Sequence, residues 1–167
     1  MVLPPYEYQM NTKDYHLAQL NIAHVRFALD DPRMADFMAG LDRINALAEA
    51  TPGFVWRLQS ASGNATDIQA FDDPRLLVNM SVWESIDALA AYVYKSGHVD
   101  FLRRRKEWFE AAETPFQVLW WVDAGHIPTV NAAKARLEYL TEHGPTAYAF
   151  TFRAPFAPVE HPSNDSP

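Results

Sequence analysis

The chain has 167 residues, a length that fits one domain with a real core, and its 21 acidic against 14 basic residues leave a formal charge of -7. That balance argues against nucleic-acid binding, which needs a positive surface, and the complete absence of cysteine excludes disulfides, thiolate catalysis and thiolate metal sites. No stretch approaches the roughly 18 apolar residues of a membrane span, and the N-terminus carries no basic segment followed by an apolar one, so the expected setting is cytoplasmic, without a membrane partner.

Residues 1–14, with Pro4 and Pro5, read as an arm, and residues 154–167, with four prolines, as a tail; the domain between them spans 15–153. "HLAQLNIAH" (16–24) alternates as a strand does. "DDPRMADFMAGLDRINALAEATPG" predicts a helix, with Asp31 as cap, Pro32 at its first position, apolar residues at helical spacing, and Pro52-Gly53 as the stop. "FVWRLQ" (54–59) and "LLVNMSVW" (76–83) are strands separated by a polar, turn-rich segment. Ser85 caps a helix over 86–95, which Gly97 is expected to close in a left-handed conformation. His98 then opens a helix reaching about Ala112, "FQVLWWVD" (116–123) is a fourth strand, residues 129–144 form a further helix, and "AYAFTF" (147–152) predicts a fifth strand. The order β-α-β-β-α-β followed by α-β specifies an α+β fold: a ferredoxin-like split βαβ core with an antiparallel sheet, plus an extra C-terminal helix and strand.

Successive side chains of a strand point to opposite faces. One set is apolar throughout (Ala18, Leu20 and Ile22; Phe54, Trp56 and Leu58; Leu76, Val78, Met80 and Val82; Phe116, Val118, Trp120 and Val122) and is expected to lie under the helices. The opposite set mixes amides, a guanidinium and indoles: Gln19 and Asn21; Arg57; Asn79, Ser81 and Trp83; Gln117 and Trp121. A solvent-washed face favours Lys, Glu and Thr, whereas amides among indoles suit a ligand pocket or a subunit interface.

His98, in the first turn of a helix, feels the positive end of the helix dipole, which favours neutral imidazole, the form needed by a general base or a metal ligand. A capping role explains the same placement. No two histidines have the i, i+4 spacing of a helical metal site, and no phosphate loop or nucleophile elbow is present.

The stretches 15–59, 76–110 and 116–152, quoted in part above, resemble the bacterial domain-of-unknown-function family DUF3291. More distantly, Trp83, the following helix and "SGHVDF" are similar to the antibiotic-biosynthesis-monooxygenase superfamily, whose members form dimeric α+β barrels and often carry a Ser-x-His here, matched by Ser96-Gly97-His98. That resemblance implies a homodimer and one of three functions. The first is a cofactor-independent, monooxygenase-like oxidoreductase acting on an aromatic or polyketide-like molecule. It would use His98 as base, Asn21 and Asn79 as catalytic amides, and Gln19, Arg57, Ser81, Trp83, Tyr94, Gln117 and Trp121 around the substrate. The second is a haem-binding protein with His98 as axial ligand; the third is a non-catalytic ligand-binding dimer.

Overall fold

The computed structural model describes residues 14–159. Its elements are β1 (Tyr15–His24), a 3-10 turn (Pro32–Met34), α1 (Ala35–Ala50), β2 (Phe54–Arg57), β3 (Leu76–Trp83), α2 (Ile86–Lys95), α3 (His98–Trp108), β4 (Gln117–Asp123) and α4 (Val130–His143). The caps read from sequence form: Asp31 accepts from the Arg33 amide, Ser85 from Ala88 and Thr129 from Ala132. Among the described residues the sheet has four strands in the order β2-β3-β1-β4, each neighbouring pair antiparallel. This is the ferredoxin-like arrangement: β1 and β2 run parallel, as do β3 and β4, each pair joined by a helical crossover. Right-handed crossovers of this kind place their helices on one common face.

That common face is the mixed one, which corrects the assignment made from the strand pattern. Leu17, Trp83, Leu119 and Trp121 pack with Ala48 of α1 and Leu89 of α2. The uniformly apolar face carries Ala18, Leu20, Val78, Met80, Val82, Val118, Trp120 and Val122. It is covered by Ala133, Leu137 and Leu140 of the additional helix α4, with Ile68, Ala70 and Phe71 of the β2–β3 connection at its margin. Small residues on α4 let it lie close to the sheet. A third cluster, Val25, Met34, Phe37 and Trp108 with Leu77 and Phe101, ties α1 and α3 to the far end of the sheet.

Three local expectations are also corrected. The β2–β3 register shifts between Phe54 and Trp56, and this bulge sends Phe54 to the mixed face, where it meets Trp83 edge-on at 5.4 Å. Phe116 is 42% exposed instead of lying in the apolar core. The expected fifth strand reduces to isolated bridges: Leu119 and Phe150 exchange backbone hydrogen bonds of 2.9 Å at the edge of β4, and Thr151 bridges Ala154 locally. The arm expected at 1–14 falls, except for Asp14, outside the described residues.

Gly53 fixes the angle at which α1 gives way to β2. Its φ is +87°, and a Cβ there would lie 2.6 Å from the Cβ of Ala88, while its carbonyl accepts the Glu84 amide at 2.8 Å. Gly53→Ala therefore suffers both backbone strain and a clash with α2. The expected loss is about 1–3 kcal/mol, read as a lower denaturant midpoint with unchanged slope.

Candidate functional site

The register of the sheet stacks the mixed-face residues into three rungs. Trp83, Leu17 and Trp121 form the first; Ser81, Gln19 and Leu119 the second; Asn79, Asn21 and Gln117 the third. The first rung is closed. Trp83 is 0% exposed, stacked on Tyr92 at 5.2 Å, and donates its indole N–H to Ser81 Oγ at 2.8 Å. Trp121 donates to the Phe156 carbonyl at 2.7 Å and packs on Phe150. The expectation that these indoles stack on a ligand is thus corrected: their faces are occupied by the protein itself. A haem macrocycle finds no wall there either.

The second rung is a buried polar network. Gln19, 4% exposed, donates through Nε2 to Asn79 Oδ1 at 3.0 Å and to Ser81 Oγ at 2.9 Å. Gln19 Oε1 is buried and has no hydrogen-bond partner among the described residues. Leaving such a group unsatisfied costs about 1–3 kcal/mol, and such exceptions concentrate where a site has a further task. Arg57 stands beside Ser81 in the register, but its Nε lies 2.8 Å from Glu49 Oε1 of α1. It is therefore not a free receptor for an anionic ligand.

The third rung is open. Asn79 sits in the middle of an interior strand, on the face that carries three helices, and is nevertheless exposed; Asn21 and Gln117 are half-buried. The placement of α3 explains this. Its first residue, His98, rests against Tyr92 at 4.8 Å, above the first rung. Beyond its other end, Phe109 bridges Val25, and the Arg105 guanidinium lies 6.0 Å from the ring of Phe116, just past the third rung. The helix thus spans the sheet above the amides, anchored beyond them on both sides, and leaves Asn79 exposed with Asn21 and Gln117 half-buried beside it.

His98 lies at the first-rung end of α3, against Tyr92. Its Nδ1 is 3.4 Å from the Val93 carbonyl, which can only accept, so the proton resides on Nδ1 and the lone pair on Nε2. Burial holds the imidazole below its ordinary value of about 6.5, outweighing the opposing bond to Val93, so the ring is neutral at pH 7. The preceding break differs from expectation. Gly97 has φ -62° and acts as the N-cap of α3, while extended Ser96 closes α2 by giving its hydroxyl to the Tyr92 carbonyl and accepting the His98 amide at 3.2 Å. With the cap supplied by a serine side chain, no left-handed glycine is required.

Tyr94 is not brought to the site: it is 56% exposed and meets Phe152 edge-on at 5.7 Å. Its neighbour Tyr92 takes that place, linking His98 to Trp83, with its hydroxyl 3.3 Å from the Ile44 carbonyl and burial pushing its phenol well above the ordinary range. Glu49 was likewise missed. The signal for Tyr92 was its place with Leu89 and Val93 on one helical stripe, which core packing explains equally well. Elsewhere, His24 lies between Asp73, at 2.8 Å, and Glu110, at 2.9 Å, and His143 stacks on Tyr139 at the end of α4. Among the described residues no group of three or more histidine and acidic side chains is placed to hold a metal ion, and no helix is long and apolar enough to cross a membrane.

The sequence profile of a domain of unknown function, DUF3291, matches residues 16–166. The chain belongs to the DUF3291 family. No protein of curated function matches it by sequence. Solved structures similar to this DUF3291 chain include SnoaB, a cofactor-independent oxygenase from Streptomyces nogalater, at 18% identity over 68% of this chain and 96% of that one, with a TM-score of 0.41. Rv0793 from Mycobacterium tuberculosis is similar at 15% identity over 68% and 99%, with a TM-score of 0.43. The ActVA-Orf6 monooxygenase of Streptomyces coelicolor, solved with nanaomycin D, is similar at 16% identity over 74% and 99%, with a TM-score of 0.35. Likeness at these values says nothing about the activity of a DUF3291 protein.

Proposed function

We propose that α3 and the amide rung of Asn79, Asn21 and Gln117 form a cleft that binds a small planar aromatic molecule, and that His98 acts there as the base of a cofactor-independent, monooxygenase-like oxidation. The observation that carries this reading is the exposed Asn79 on an interior strand, tied to the buried Gln19–Ser81–Trp83 network and roofed by the helix that begins with neutral His98. Fixed amides over an otherwise apolar sheet suit a guest with one oxygen to be held and a flat apolar body.

In an enolisable hydroxyarene of the anthrone type, His98 Nε2 takes the proton of the acidic C–H, and the amides of Asn79 and Asn21 stabilise the charge that develops on oxygen. The resulting electron-rich anion reduces dioxygen itself. Overall, one CH2 becomes C=O, one O2 is consumed and one water is released.

Titration with 1,8-dihydroxyanthrone under anaerobic conditions, followed by tryptophan fluorescence, tests the cleft. Asn79→Leu, at an exposed position that tolerates change, is expected to weaken binding about tenfold, equivalent to about 1.4 kcal/mol. Identical affinity in the variant rules the cleft out as the binding site. A second reading, a non-catalytic binding module, is favoured by the contact of His98 with the Val93 carbonyl, which is also a helix cap. Since α4 already covers the apolar sheet face, a homodimer of this chain would pair through another surface.

A further inference from the structure

The structure assigns to Ser96 the role of a positioning residue that selects which nitrogen of His98 carries the proton, and therefore which nitrogen is left as the base. Its catalytic consequence rests on the reading of His98 given above, whereas the selection itself needs no ligand.

An α-helix leaves its last carbonyls without intrahelical amide donors, so the groups that reach them decide how the chain departs. Were α2 to run on, the Ser96 amide would close on Tyr92 and the Gly97 amide on Val93, each four residues back. Ser96 prevents this. It is extended, at φ -108° and ψ -177°, between helical Lys95 and a Gly97 already at φ -62° and ψ -11°. Its hydroxyl donates to the Tyr92 carbonyl, and the same oxygen accepts the His98 amide at 3.2 Å. One side chain thus closes α2 and opens α3.

With Tyr92 served in this way, the Val93 carbonyl is left to the imidazole, whose Nδ1 lies 3.4 Å away. A carbonyl only accepts, so this contact puts the proton on Nδ1 and the lone pair on Nε2. Turning the ring by half a revolution would set a carbon against Val93 and forfeit the bond. Tyr92 supports the ring from the side at 4.8 Å, and is itself stacked on Trp83 at 5.2 Å.

Removing the hydroxyl undoes this from a single atom. In Ser96→Ala the Tyr92 carbonyl and the His98 amide lose their shared partner, and alanine, the best helix former, favours continuation of α2 through its own amides. The Gly97 amide then takes the Val93 carbonyl. His98, deprived of its acceptor, is released to carry its proton on Nε2, which blocks the base while leaving the histidine in place.

Long-range 1H–15N spectra of histidine-labelled protein read the tautomer directly. They are recorded at about pH 8, where buried His98 is neutral, with His98→Gln identifying its signals. The unaltered protein is expected to show His98 protonated on Nδ1, Ser96→Ala to move the proton to Nε2, and Ser96→Thr, which keeps a hydroxyl, to restore it. Ser96→Gly, which removes the hydroxyl without promoting a longer helix, should behave as the alanine form does and serves if that form does not fold. Turnover of the anthrone should follow the same order, with kcat at least tenfold lower in Ser96→Ala, KM within twofold, and recovery in Ser96→Thr. Protonation on Nε2 in the unaltered protein, or on Nδ1 in the alanine and glycine forms, overturns the assignment. A tautomer that switches with no change in turnover upholds the assignment and removes His98 from the chemistry.

Discussion

Replacing His98 with glutamine is expected to lower turnover of an enolisable anthrone by about 10²–10⁴-fold, the usual contribution of a positioned base. Glutamine can still approach the Val93 carbonyl, so the end of α2 keeps a cap while the titrating nitrogen is removed. Oxygen uptake measured beside circular dichroism checks both halves of this statement. The pH dependence adds a second readout. Because burial lowers the folded value of His98, the acid limb of kcat/KM should lie below the ordinary histidine value of about 6.5. Stability follows the same linkage: the contribution from neutral His98 is fully present above about pH 6.5 and is lost as pH falls through the lower folded value. His98→Gln should flatten that part of the stability profile. Unchanged turnover in the variant would leave His98 as a helix cap and favour the binding module.

Trp83→Ala is expected to cost about 3–5 kcal/mol, as for other large aromatics removed from a core. Trp83 is fully buried, touches Phe54 and Tyr92, and supplies one of the two hydrogen bonds that fix Ser81. Trp83→Phe separates packing from polarity: most of the stability should return, while Ser81 Oγ loses its indole donor and Gln19 loses a fixed partner. Thermal melts of the two variants, with anthrone titrations on the phenylalanine form, check this. Full-strength binding by Trp83→Phe would show that the network below the cleft has no part in holding a guest.

The elements themselves were legible because their signals are local. Asp31-Pro32, Ser85 and Thr129 cap where expected, and the alternation in residues 76–83 gave β3 its full length. The same alternation separated the amides from the apolar side chains correctly over β1, β3 and β4. What it could not assign was the cover over each face. Apolarity marks burial but does not identify the helix responsible, and the handedness of the crossovers placed α1, α2 and α3 over the mixed face while α4 took the other. Phe54 was misplaced by a bulge, a two-against-one register visible only once β3 is paired. His98 was legible as a neutral histidine at a helix start. Its partners Tyr92 and Val93 were not, since a stacked ring and a backbone carbonyl leave no mark in composition.

The position of α4 has a consequence for biosynthesis. The ribosome completes the apolar sheet face at Asp123, yet its cover is made only by residues 130–143. A nascent chain paused between these points carries Val78, Met80, Val82, Val118, Trp120 and Val122 without their lid, the kind of surface on which unfinished chains adhere to one another. Premature termination just after β4 would therefore yield a sticky fragment, and α4 would act as the chain's own chaperone.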